Sequence, residues 1–274
     1  MNRRTVFFIS DSTGVTAETL GHSLLTQFDA EAFNQVTLPF VDTVDKADEA
    51  VLTINKVAAE EGARPIVFST MVRDDIREHL LPAEGLFLDF FQTFIAPLEA
   101  ELGVRSSHAS GKAHGLTDEQ QYDERIEATN FALNNDDGAK VRDYAKADLI
   151  LIGVSRSGKT PTCLYLALTY GVYAANFPLS EDELESGKLP EVLEPYKDKL
   201  YGLTIEAPRL VQIRQERRAT GRYSSVQQVN YELRAAEQLF RRYRIPNIDT
   251  THSSIEEIAS SILADTGTER RVRP

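Results

Sequence analysis

The aliphatic run Asp148-Leu149-Ile150-Leu151-Ile152 leads directly into Gly153-Val154-Ser155-Arg156-Ser157-Gly158-Lys159-Thr160, and Cys163 to Gly171 follows as CLYLALTYG. A short β-rich run, a glycine turn and a helical pattern in that order predict strand, loop and helix. The turn matches G-x-x-x-x-G-K-[ST], the P-loop pattern, and the flanking strand and helix are the context that pattern requires. Its glycines let the backbone curl with N–H groups facing inward, and the helix adds its positive N-terminal end. Lys159 supplies a mobile charge for terminal phosphates, and Thr160 a hydroxyl for Mg²⁺. Pro161 is tolerated because first-turn N–H groups lack intrahelical partners.

The same alternation runs outward on both sides. Upstream, Arg4 to Ile9 reads as a buried strand, SDSTG as a turn, and Thr16 to Phe28 as a helix. Gln35 to Phe40 and Arg64 to Ser69 are further strands, with helices over Lys46 to Glu61, Val72 to Leu81 and Phe90 to Glu101. Val104 to Gln121 has almost no aliphatic content and reads as a polar loop, followed by a helix over Ile126 to Leu133. Downstream, Val172 to Phe177, Leu200 to Ile205 and Ile245 to Asp249 are strands, and Ser225 to Tyr243 and Ser254 to Leu263 are helices. The expected class is α/β: an N-terminal parallel-sheet α/β domain (1–103), a polar loop and connecting helix (104–145), a C-terminal P-loop kinase-like α/β domain (146–265), and a frayed tail (266–274).

The 274 residues suit two modest domains, and 30 basic against 42 acidic residues give a net charge of −12. That balance repels nucleic acid backbones and anionic lipid. No apolar run approaches the roughly 20 residues of a spanning helix, and no signal peptide is recognisable. A single Cys163 excludes an internal disulfide and the common thiolate zinc sites, so a reducing, cytoplasmic setting is expected and Cys163 is read as packing.

A P-loop works with a carboxylate that orients the metal. Asp249 in IPNIDTT is the first candidate for Mg²⁺ beside Thr160, and Asp136 and Asp137 in NNDDG come next. Carboxylates in such stretches are more often turn formers or helix caps than ligands. His108 in SHASGKAHG is a candidate general base, with Lys112 and His114 in the same loop. SDSTGVTAE (Ser10 to Glu18) stands where open α/β sheets bind ligands and reads either as a second phosphate site or as a helix start capped by Thr16. The basic helix Arg209 to Arg218 either faces a phosphate or is a solvated face, and Arg241, Arg242 and Arg244 complement a helix C-terminus.

Together, FFISDSTGVTAETLG, SHASGKAHG, RIEATNFALNNDDG, ADLILIGVSRSGKTPTCLYLALTYG, AANFPL and IPNIDTTHSSIEEIA resemble the bacterial phosphoenolpyruvate synthase regulatory proteins. These form one family with the pyruvate, phosphate dikinase regulatory proteins, and the similarity runs nearly end to end. The resemblance implies a bifunctional Ser/Thr kinase that uses ADP to phosphorylate, and so inactivate, a threonine of its target. It also implies reversal with inorganic phosphate, releasing pyrophosphate. The resemblance makes phosphoenolpyruvate synthase the expected protein partner and Gly153 to Thr160 the nucleotide turn, and it carries over no other residue; Lys159, Asp137 and His108 are candidate catalytic residues on their own chemistry. A homodimer is the commonest closed assembly. The competing readings are an ATP-dependent small-metabolite kinase and a non-catalytic nucleotide-sensing protein.

Overall fold

A computed structural model of the protein describes residues 4–28, 33–107, 119–217 and 221–272. The chain divides into two compact units, Met1–Thr117 and Asp118–Pro274.

In the first unit the order is β1 (Arg4–Ile9), α1 (Val15–Leu25), β2 (Phe33–Leu38), α2 (Val44–Glu61), β3 (Ile66–Ser69), α3 (Asp74–Leu80), β4 (Leu86–Asp89) and α4 (Phe90–Leu102). Its four strands are parallel, in the order β2-β1-β3-β4. From Val6 to Ile9 β1 is apolar without a break because both faces of a parallel sheet are covered. Successive side chains feed opposite layers: Phe7 and Ile9 pack with Ala47, Ala50, Ile54 and Ile76, while Val6 and Phe8 pack with Ala17, Leu25 and Phe68.

The second unit contains α5 (Glu119–Asn134), β5 (Leu149–Gly153), α6 (Lys159–Tyr170), β6 (Ala174–Pro178), α7 (Glu181–Ser186), β7 (Leu200–Thr204), α8 (Ala207–Arg217), α9 (Val226–Tyr243), β8 (Asn247–Asp249) and α10 (Ile255–Thr266). Its strands are again all parallel, in the order β6-β5-β7-β8. Ile150 and Ile152 face a layer containing Leu210, Leu233 and Phe240, and Leu149 and Leu151 face one containing Cys163, Leu166, Ala259 and Ile262. The expected α/β class with two parallel sheets is what the molecule has, and Cys163 is buried packing. The first strand of each unit is central, with the winding reversing beside it, so the ligand crevice expected of this topology lies at the carboxyl ends of β1 and β5.

Three local readings are corrected. β4 falls in a stretch the sequence left unassigned between helices. α1 is capped by Gly14 in the left-handed conformation (φ 83°), not by Thr16. The C-terminal tail is docked: Val272 is buried and its N–H donates to the Tyr170 carbonyl at 3.1 Å. Arg271 pairs with Asp148 and lies over the Tyr173 ring, and Arg270 lies over Tyr170. These contacts hold the residues after α10 against the α6–β6 junction.

Candidate functional site

The glycine turn leaves the carboxyl end of β5, the central strand of the second unit, and enters α6 at Gly158. Gly153 is required by close approach: a Cβ there would lie 2.5 Å from the Leu203 carbonyl oxygen of β7 and 2.9 Å from Ser157 Oγ. Arg156 takes a left-handed backbone (φ 74°) although it is not glycine, a conformation costing about 1–3 kcal/mol that is held mainly at functional sites. Such alternation in a glycine turn shapes an anion-binding concavity from backbone N–H groups.

A cleft of about 550 Å³ opens over this turn, lined by Ser155, Arg156, Gly158, Lys159, Thr160 and Pro161, by Asp136, Asp137 and Pro178, and by Ile213 and Arg217 of α8. Lys159 is buried and its Nζ donates to the Val154 carbonyl at 2.8 Å. Burial lowers its pKa to about 8 against the opposing pull of Asp137 and Asp136. Ser157 Oγ is buried and has no hydrogen-bond partner within the protein, an orphan that calls for a ligand or water.

Opposite the turn stands the acidic pair. Thr160 Oγ1 donates to Asp136 Oδ1 at 2.7 Å, and the same oxygen accepts from Asn176 Nδ2 at 2.5 Å. The other half of that fully buried amide, Asn176 Oδ1, accepts from the Asp137 N–H at 3.1 Å. Asn176, in β6, thus fixes both aspartates, and Asp137 is the second non-glycine residue of the cleft in a left-handed backbone (φ 49°). Asp249 is elsewhere occupied: its carboxylate accepts from the N–H of Thr251 at 2.8 Å and from the Thr251 hydroxyl, and it does not line the cleft. His108, with Lys112 and His114, lies outside the described residues.

The basic helix splits its roles. Arg217 lines the cleft, whereas Arg214 is completely buried beneath the turn. The Arg214 guanidinium donates to Glu232 at 2.6 Å, to the Ser155 carbonyl at 3.1 Å and to the Tyr223 carbonyl at 3.0 Å, and it lies 4.4 Å from the Tyr223 ring centre. The Tyr223 hydroxyl in turn meets Ser155 Oγ at 3.0 Å. In the first unit, the turn after β1 has a different filling. Asp11 is buried and accepts from the N–H groups of Val72 (3.0 Å) and Arg73 (3.4 Å), tying the loop after β1 to the loop after β3.

Chemically, the cleft of the second unit presents backbone N–H groups, a lysine, two arginines and a hydroxyl–carboxylate pair. That is an equipment for anions of high charge. A protein of Pseudomonas putida (strain W619) named "Putative phosphoenolpyruvate synthase regulatory protein" is 55% identical over 271 residues, covering 99% of this chain and all of that one. One of the same name from Stutzerimonas stutzeri (strain A1501) is 54% identical with the same coverage. The family model described as kinase/pyrophosphorylase matches residues 6–263. With nearly its whole length matched, the chain belongs to the kinase/pyrophosphorylase family.

Proposed function

We propose that the cleft of the second unit binds the diphosphate of ADP and transfers its terminal phosphoryl group to a threonine hydroxyl of phosphoenolpyruvate synthase, inactivating it. The bond between the β-phosphorus and the bridging oxygen breaks, AMP leaves, and the threonine proton is lost as the phosphate ester forms. In the opposite direction inorganic phosphate attacks the phosphothreonine phosphorus, which releases pyrophosphate and restores the hydroxyl. The observation that carries this reading is the convergence on one cleft of the glycine turn, Lys159 and the Thr160–Asp136 pair.

Both directions pass a phosphoryl group between oxygens, and the protein contributes positioning and charge neutralisation more than covalent chemistry. The turn from Gly153 to Thr160 holds the two phosphates, with the unpartnered Ser157 hydroxyl available as one more donor. Lys159 exchanges the Val154 carbonyl for a phosphate oxygen, and Arg156 and Arg217 neutralise charge from the rim. Mg²⁺ fits the hard oxygen set of Thr160 Oγ1 and Asp136 and would supply charge neutralisation on the phosphates. Asp136 therefore replaces Asp249 as the carboxylate in this reading. Asp137, whose backbone N–H is held by Asn176 and which lines the same cleft, is the proposed acceptor of the incoming hydroxyl's proton. The reading sets the protein in the cytoplasm. Among the described residues no helix is long and apolar enough to cross a membrane.

The test is to incubate the protein with [β-³²P]ADP and purified phosphoenolpyruvate synthase phosphorylated on its catalytic histidine. Label is expected on a target threonine, and it should vanish with Lys159→Ala. Turnover of a small acceptor with ATP, and no label on the synthase, would refute the proposal in favour of a metabolite kinase.

A further inference from the structure

The carbonyls of the glycine turn are held by three side chains, two of which, Arg214 and Thr250, the chemistry above does not use. Three carbonyls of the turn have donors. Val154 O accepts from Lys159 Nζ, Ser155 O accepts from Arg214 at 3.1 Å, and Ser157 O lies 3.2 Å from the hydroxyl of Thr250. That hydroxyl also lies 3.0 Å from Thr204 O, so its one proton is shared between the glycine turn and the end of β7. Thr250 is the residue after Asp249. The stretch IPNIDTT therefore reaches the turn through a hydroxyl, where the sequence pointed to a carboxylate.

A trans peptide is planar, and its C=O and N–H point in opposite directions. Holding Ser155 O back fixes the direction of the Arg156 N–H, and holding Ser157 O back fixes that of the Gly158 N–H. Both amides belong to residues that line the cleft. Without these anchors each peptide plane is free to rotate, and a carbonyl turned toward the cleft would repel an anion there. Arg214 suits this role. It is fully buried, its charge is met by Glu232, and Gln228 holds the second Glu232 oxygen at 3.0 Å. Its guanidinium fork spans three acceptors at once, a geometry an ammonium lacks.

We propose that Arg214 and Thr250 are positioning residues that set the anion affinity of the glycine turn from behind, each by fixing one peptide plane. This deepens the diphosphate reading of the cleft and rests on it. The prediction is read by calorimetric titration of the full-length protein with ADP and, separately, with pyrophosphate. Thr250→Val removes the hydroxyl at nearly constant volume and should weaken both ligands by the same factor, about three- to tenfold for one hydrogen bond. Thr250→Ser restores the hydroxyl and should return both affinities to the wild-type value, a rescue that mere filling of space does not predict. Arg214→Lys should weaken both ligands in the same sense. Because that variant disturbs a buried ion pair and is liable to misfold, the Thr250 pair decides the matter. Wild-type affinity in Thr250→Val, or a Thr250→Ser variant as weak as Thr250→Val, would overturn the inference and leave the diphosphate reading standing. If the wild-type protein binds neither ADP nor pyrophosphate, both fall together.

Discussion

Lys159 offers a quantitative test of the cleft, because its proton is coupled to its ligand. In the free protein burial lowers its pKa to about 8, and the ammonium rests on the Val154 carbonyl. A diphosphate placed in the turn brings negative charge beside it and favours the protonated form. The sign follows: binding takes up a proton, by an amount that grows as pH rises through 8. About half a proton should be captured at pH 8 and about nine-tenths at pH 9, with the dissociation constant rising about tenfold between pH 7 and pH 9. Titrating ADP at pH 9 in buffers of different ionisation enthalpy measures the uptake directly as the slope of observed heat against buffer enthalpy. Lys159→Arg keeps its charge throughout this range and should show no uptake. A buffer-independent heat in the wild type, or undiminished uptake in Lys159→Arg, would refute the reasoning. Stability checks the same pKa from the other side. The unfolded lysine holds its proton up to about 10.5, the folded one only to about 8. Burial therefore costs about 3 kcal/mol at neutral pH, and this term is recovered as pH rises between those two values.

Two further outcomes follow from the geometry. Asp136→Asn keeps the size of the side chain but removes the charge beside Thr160, so the Mg²⁺ concentration needed for half-maximal phosphoryl transfer should rise about 10- to 100-fold, as when the close partners of a metal site are changed. An unchanged Mg²⁺ requirement would remove Asp136 from the metal site. Deleting residues 267–274 exposes the surface under Val272 and breaks the Arg271–Asp148 pair. The apolar burial is worth about 2 kcal/mol and the half-exposed pair little, so differential scanning calorimetry should show the transition of the second unit lowered by several degrees.

What the sequence made legible was what local pattern controls. DLILI into GVSRSGKT is strand, turn and helix at the level of single residues, and the molecule keeps it. β4 escaped notice because its four residues alternate between exposed and half-buried at a sheet edge, with Pro82 and Gly85 just before them. Asp136 stood behind Asp249 as a candidate carboxylate because NNDDG also reads as a turn. Its meeting with Thr160 depends on Asn176, 40 residues further on, through a contact between β6 and the loop before β5 that no periodicity encodes. Arg214 did leave a signal. It sits four and three residues after the buried Leu210 and Val211 and so falls on the apolar stripe of α8, while its polarity suggested a solvated face. Spacing was the better guide there than chemistry. The tail misled for the opposite reason: Val272 is one apolar residue among arginines, and only its docking against Tyr170 makes it matter.

The two units also show that one winding can present two different sets of charges. Both sheets have the same order, with the first strand central, and both first strands are followed by a turn that reaches a left-handed glycine five residues later, Gly14 (φ 83°) and Gly158 (φ 94°). The backbones agree and the charges do not. Two residues past the strand the first unit has Asp11 where the second has Ser155, and the residue after the glycine is Val15 in one and Lys159 in the other. Asp11 already occupies two backbone N–H groups with its own carboxylate, so an incoming phosphate would meet a buried negative charge and no lysine. In the second unit the neutral Ser155 stands in that place, with the buried Arg214 guanidinium on its carbonyl. Beside the start of α1 the carboxylate of Asp11 is already spent on two amides, whereas beside the start of α6 Lys159 stands with the Thr160–Asp136 pair, so one winding carries a different set of charges in each unit.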